Sequence, residues 1–193
     1  MGLFAELLQL PGVEEDLVIR SAFGFLAPHG GSLEKGTDLV ASAAATQAGA
    51  SLYAVRQPPD LRWHIPAVAI DPAASAALTR FCAHVRAAIA VHGYFRPELG
   101  RTVLVGGANR ALAAIVARHL RDRLDGGHRV IDDLASIPAR LRGVHPTNVV
   151  NLPVEGGVQL ELPPTARDPQ PDGVAGALAA AAEEYLATVP VAR

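Results

Sequence analysis

The chain has 193 residues, half of them apolar, with 17 Lys and Arg against 19 Asp and Glu for a net charge of -2, and one cysteine. That is enough apolar chain to bury a core without staples, and it excludes disorder over most of the length. The balance of charge, with no basic block, argues against nucleic acid or an anionic membrane as partner, and the lone Cys82 excludes an intramolecular disulfide or a multi-cysteine metal cluster.

The opening stretch MGLFAELLQLPGVEEDL lacks a basic start, and Glu6 interrupts its apolar run, so no signal peptide is expected. No apolar run reaches the length of a membrane span, and a soluble cytoplasmic protein is the expectation. Leu17 to Ala27 predicts a buried strand, with Gly24 admitting a neighbour close to the backbone. A helix is predicted over Glu34 to Gln47 with Thr37 or Ser32 as its cap, then a short strand over Ser51 to Val55 and a turn at Pro58, Pro59 and Asp60. Trp63 to Ile70 has the two-residue period of a strand, and a helix is predicted from Pro72 through Leu78 and Phe81.

Further strands are predicted at Ala87 to Val91, Arg101 to Val105 and His128 to Ile131, with a helix from Asn109 to Leu124 stopped by Gly126 and Gly127. After a loop over Pro138 to Pro146, two strands are expected at Asn148 to Leu152 and Val158 to Leu162, divided by the turn Glu155–Gly156–Gly157. Pro163 to Asp172 is irregular, and Val174 to Val189 closes the chain as an Ala-rich helix. Strands alternating with helices across glycine loops predict an α/β sandwich around a mixed sheet, as one domain over residues 1–193 with its core at about 15–189.

Sites in open α/β sheets collect beyond the carboxyl ends of strands. His29, in APHGGSLEKGT, follows one predicted strand; His92 follows another, and Glu34 lies across the glycine loop from His29. Two imidazoles and a carboxylate with a fourth position for water is the pattern of a catalytic zinc site. A spacing of five residues does not align on a helix face, so the set works only if Gly30, Gly31 and Gly36 let the loop fold back; the plain alternative is a surface turn. Gln159 and Glu161 share one face of their strand, either as its wet side or as the place of a general base. Arg110, at a helix start, either grips a substrate carboxylate or faces solvent, and His64 is a core or pocket histidine. Asn148 and Asn151 offer amides. GGANRAL has neither the full dinucleotide fingerprint nor a Lys–Ser/Thr pair, so a nucleotide site is not indicated.

APHGGSLEKGT (27–37), WHI (63–65) with Asp71–Pro72 downstream, His92–Gly93, VGGANR (105–110) and NVVNLPVEGGVQLELP (148–163) occur in an order that resembles the poly-gamma-glutamate hydrolase family, also known as phage-related replication proteins. The resemblance implies a single-domain α/β/α sandwich like that of zinc carboxypeptidases. It implies Zn2+ held by His29, Glu34 and His92, Glu161 as general base and acid, and Arg110 and His64 as substrate contacts. The implied activity is hydrolysis of a peptide-like amide such as a gamma-glutamyl bond, with no nucleic acid or membrane partner. The alternatives are a zinc-dependent esterase or deacylase, and a non-catalytic or phage-accessory metal-binding module. The chain departs from the family at Ile65–Pro66–Ala67, where a serine/threonine run is expected, and Pro66 removes a backbone donor there. Asp71 is a candidate partner for a ligand histidine, and Arg142 and Arg167 are positives near the distal segment.

Overall fold

The computed structural model describes residues 2–124, 126–170 and 173–188. Its strands are β1 (Glu14–Val18), β2 (Phe23–Gly31), β3 (Ser51–Gln57), β4 (Ala87–Gly93), β5 (Thr102–Val105), β6 (Arg129–Ile131) and β7 (Gly157–Leu162). They form one sheet in the order β1-β3-β2-β4-β7-β5-β6. β3, β2, β4 and β7 are mutually parallel; β1 is antiparallel to β3, β5 is antiparallel to β7, and β6 runs parallel to β5. The sheet is mixed, as the alternation of elements predicts.

Among the described residues, α1 (Leu3–Leu7), α2 (Thr37–Gln47), α3 (Ala76–His84), α4 (Arg110–Arg123) and α5 (Val174–Thr188) cover it. Strand alternation decides which side chains meet which layer. Phe23, Phe25, Ile89, Val91, Val158 and Leu160 pack with residues of α2, α4 and α5 on one face. Leu26, Tyr53, Ala88 and Ala90 pack with residues of α1 and α3 on the other. The result is an α/β/α sandwich. Burying a Phe such as Phe23 or Phe25 contributes roughly 1.5–3 kcal/mol, and both are fully buried. Close packing on the second face uses Gly24, where a Cβ would run into the Phe81 ring and Val85.

The same alternation sets up the site. On β4, His92 continues the two-residue series of Ala88 and Ala90; on β7, Gln159 and Glu161 alternate with Val158, Leu160 and Leu162. These polar groups therefore leave the sheet on the α1/α3 side, at the carboxyl ends of adjacent strands.

Several predicted elements differ. The strand expected over 17–27 is two strands, because residues 19–22 carry the chain from the sheet edge to its centre. β1 reads EEDLV and is half-exposed, with Glu14 and Asp16 paired to Arg56 of β3; a charged edge strand has no apolar run to announce it. Trp63 to Ile70 is not a strand: Ile65 and Ile70 are buried as anchors of an irregular segment with a 3-10 turn at Ala67–Ala69. Asn148 to Leu152 is also not a strand but a 3-10 turn at Val149–Asn151, since the Asn148 side chain accepts the Val150 N–H and diverts the backbone. α2 begins at Thr37 rather than Glu34, with Gly36 as its cap and neither Thr37 nor Ser32 supplying a capping bond. The final helix is described to Thr188; its predicted end, Val189, and the loop residues Pro171 and Asp172 lie outside the described residues.

Candidate active site

His29 sits near the end of β2, where the pairing with β3 shifts register between Ala27 and Gly30. Such an irregularity re-aims a side chain at a strand end. The loop that follows folds back, with the Glu34 N–H donating to the His29 carbonyl at 2.9 Å. Gly31 makes this possible: its φ is +71°, and a Cβ there would collide with the Gln57 carbonyl oxygen and approach the Gln57 nitrogen to 2.7 Å. The Gly31 N–H donates to the Asp38 carboxylate at 3.2 Å, and the Ser32 hydroxyl donates to the Pro58 carbonyl at 2.7 Å. Starting α2 three residues late leaves Glu34 in this loop rather than on a helix.

His29, Glu34 and His92 converge. His29 Nδ1 is 2.9 Å from Glu34 Oε1, His92 Nδ1 is 3.2 Å from His29 Nδ1, and His92 Nδ1 is 3.5 Å from Glu34 Oε2. All three residues are buried, at 2%, 8% and 3% exposure. His29 Nε2 lies 2.8 Å from the Ile65 carbonyl; as that ring nitrogen carries the proton, Nδ1 of a neutral His29 presents a lone pair. Asp71, the expected partner, instead accepts the Ala73 N–H at the start of a 3-10 turn. Glu34 Oε2 accepts the Gly93 N–H at 2.9 Å, which holds the carboxylate against β4.

A cluster of acceptors this tight calls for a positive charge at its centre. Burial alone would push Glu34 up, but its contacts to His29 and His92 outweigh that and hold its carboxyl below the ordinary range. Burial disfavours charge on His29, yet Glu34 and the Ile65 carbonyl win and raise its pKa. A tetrahedral ion with bonds of ~2.0–2.2 Å sets its ligand atoms roughly 3.3–3.6 Å apart. The three separations, 2.9, 3.2 and 3.5 Å, lie within or a few tenths of an ångström below that range, and the donor set, two imidazoles and a carboxylate, suits zinc. His92 Nε2 is buried without a hydrogen-bond partner among the described residues, so its ring is held by packing and by whatever Nδ1 meets. A looser trio, His29, Glu34 and His64, keeps its ligand atoms within 4.8 Å. The set with His92 is tighter and wholly buried; His64 is exposed, its ring packed against His29 at 4.7 Å between centroids.

Glu161 pairs in register with His92 across β4 and β7. It is 5% exposed and lies on an interior strand, not the wet edge that alternation alone allows. Burial, reinforced by Glu34, pushes its carboxyl up to about 7 against the opposing pull of His92, Gln159 and Arg167. The Gln159 amide donates to Glu161 Oε1 at 2.9 Å, and Asn148 donates to Gln159 Oε1 at 2.7 Å. This Asn148–Gln159–Glu161 chain orients the carboxylate; the shared strand face of Gln159 and Glu161 was its only signal in the sequence.

His29, Glu34, His92, Asn148, Gln159 and Glu161 line a cavity of about 710 Å³, whose walls also take residues from the stretches around 64–68, 93–96 and 139–145. His64 stands on the wall, and burial together with the neighbouring His29 lowers its pKa. Arg110, the expected substrate contact, is not among the residues of the cavity wall: its guanidinium donates to the carbonyls of Val105, Gly107 and Asp132 and ties the ends of β5 and β6 together. Arg167 likewise donates to the carbonyls of Leu162, Tyr94 and Lys35. Asn151 donates to the Gly143 and His145 carbonyls and so shapes a wall without lining it. Arg96, Arg140 and His145 are on the wall, and no sequence pattern marked them.

Several solved structures share this fold. A bacteriophage poly-gamma-glutamate hydrolase superposes with a TM-score of 0.76 at 22% identity, covering 95% of each chain. A zinc-free apo form of a protein called YNDL gives 0.67 at 23% identity, over 80% of this chain and 73% of the other. A metallo-carboxypeptidase from Burkholderia cenocepacia gives 0.52 at 12% identity, over 94% of this chain and 66% of the other. No curated protein shows a significant match. The family model described as poly-gamma-glutamate hydrolase matches residues 7–170, a span that holds all five segments of the resemblance and every residue of the site, and the chain belongs to that family.

Proposed function

We propose that this chain is a zinc-dependent hydrolase that cleaves the gamma-linked amide bonds of poly-gamma-glutamate. The observation that carries the reading is the convergence of His29 Nδ1, His92 Nδ1 and the Glu34 carboxylate within 3.5 Å at the floor of the cavity, beside a buried Glu161. His29, Glu34 and His92 would hold the zinc, which when bound supplies a Lewis acid that acidifies water and polarises a carbonyl.

The chain's own groups do the rest. The Ile65 carbonyl and the Gly93 N–H fix the His29 ring and the Glu34 carboxylate, so the ligand set is organised before anything binds. Glu161, as the carboxylate, accepts a proton from the water that adds to the scissile carbonyl. It returns that proton to the amine nitrogen as the C–N bond breaks, leaving a carboxylate and a free amine. A carboxyl near neutrality serves both transfers, because neither form is costly at working pH. Neutral His64, on the wall, offers a ring N–H to the substrate.

The test is release of amine from poly-gamma-glutamate and from alpha-linked glutamyl peptides, with and without chelation and zinc restoration. Zinc-restored cleavage of the gamma-linked polymer supports the reading. Cleavage of alpha-linked peptides alone overturns the linkage, and a zinc-loaded protein that cleaves neither is a binding module.

A further inference from the structure

Five arginines in the described chain, Arg62, Arg80, Arg96, Arg129 and Arg140, have side chains with no hydrogen-bond or ion-pair partner among the described residues. Two of them, Arg96 and Arg140, stand on the cavity wall, and they come from separate segments, one just after β4 and the other in a 3-10 turn at Ala139–Leu141. Among the described residues the wall holds no Asp, and its only carboxylates are Glu34 and Glu161, both engaged in hydrogen bonds. Although the whole chain carries a charge of -2, its cleft therefore faces outward as a cationic surface. A guanidinium left unpaired in such a cleft is a receptor for carboxylate.

We propose that Arg96 and Arg140 are specificity-determining residues that bind the carboxylates flanking the scissile amide. This deepens the hydrolase reading and rests on it for the identity of the ligand. A gamma-linked glutamate chain carries one free α-carboxylate per residue, so each amide has a carboxylate on either side. Its backbone also runs through two methylenes per residue. The same wall offers them apolar cover in Val68, Phe95 and Val144, which are 46%, 81% and 41% exposed. Charge at two points with apolar surface between them matches an anionic, methylene-spaced chain better than a neutral peptide.

The experiment measures binding apart from turnover. Glu161→Gln protein, zinc-treated, is titrated calorimetrically with a short gamma-linked glutamate oligomer and with the same oligomer amidated at every α-carboxyl. Arg96→Gln and Arg140→Gln are added singly in that background, with Arg→Lys at each position as the charge-retaining control. Each Gln variant is expected to weaken the anionic oligomer about tenfold, as the loss of one charge-assisted contact does. Neither should change binding of the amidated oligomer, and Lys should restore part of the loss. Equal binding of the two oligomers, no response to either substitution, or no binding of the anionic oligomer overturns the inference, even where the wild-type protein cleaves the polymer. Arginine-dependent binding in a chain that cleaves nothing upholds the inference and overturns the hydrolase reading instead.

Discussion

His92 and Glu161 are register partners on adjacent parallel strands, and their side chains leave the sheet on the same face. One is a ligand candidate tied into the His29–Glu34 cluster, and the other is a carboxylate free of that cluster but next to it. The proposed division of labour, with the cluster holding a cation and Glu161 moving protons, would follow from this single strand pairing.

Glu161→Gln keeps the shape and the hydrogen bond from Gln159 but cannot carry a proton. Turnover is expected to fall by ~10²–10⁴, while zinc content by elemental analysis stays equal to wild type. Unchanged turnover would remove Glu161 from the mechanism; loss of zinc would make it a ligand.

The pH dependence of stability has a defined sign. Folding raises the Glu161 carboxyl from 4.5 to about 7, so between those values the folded chain keeps a proton that the unfolded chain releases. Stability from this group is thus intact below about pH 4.5 and falls as pH rises toward 7, by about 3 kcal/mol in all. Glu34 acts in the opposite sense, since its lowered carboxyl stabilises the fold above its ordinary value and is lost in acid. Denaturant titration of zinc-free protein should show Glu161→Gln gaining on wild type between pH 4.5 and 7 and not below. A constant difference across that range contradicts the burial-driven shift.

Gln159→Leu removes the side-chain hydrogen bond to Glu161, one of the interactions that pull its pKa down. Because Glu161 must be ionised to accept a proton, the acid limb of the kcat/KM profile should move to higher pH while zinc content holds. A uniform loss of rate with no movement of the limb would mean that Gln159 only packs.

Gly31→Ala forces a left-handed backbone on a residue with a Cβ and drives that Cβ into the Gln57 backbone. A loss of at least about 2 kcal/mol is expected, with zinc affinity falling as well because the loop that returns Glu34 to His29 is the part displaced. Wild-type zinc affinity in a folded Gly31→Ala protein would show that the loop does not set the ligand geometry.

The layered architecture was legible because β2, β4 and β5 are apolar runs ending at glycine, β7 follows the Gly156–Gly157 turn with alternating apolar residues, and α4 carries helical spacing from Leu112 to Leu120. β1 was not, because its acidic residues look like a loop until Arg56 on β3 supplies their partners. Residues 63–70 and 148–152 mimic strands since buried anchors such as Ile65 and Val150 recur at short intervals whether or not a ladder exists. At the site, His29, Glu34, His92 and Glu161 were nameable from strand ends and from the resemblance. The Ile65 carbonyl, Asn148–Gln159 and the wall arginines depend on which loops fold over the sheet, and spacing along the chain carries no such information. The position of Arg110 off the cavity wall was illegible for the same reason: a helix-start arginine beside a glycine turn faces whatever strand ends lie nearest, here three carbonyls.

The central claim is that one metal ion sits among His29, Glu34 and His92. Crystals grown with zinc and measured on both sides of the zinc absorption edge test it directly. A single strong anomalous peak is expected within ~2.0–2.2 Å of His29 Nδ1, His92 Nδ1 and a Glu34 carboxylate oxygen. A peak held by other residues, or none at this point in zinc-replete crystals, would contradict it.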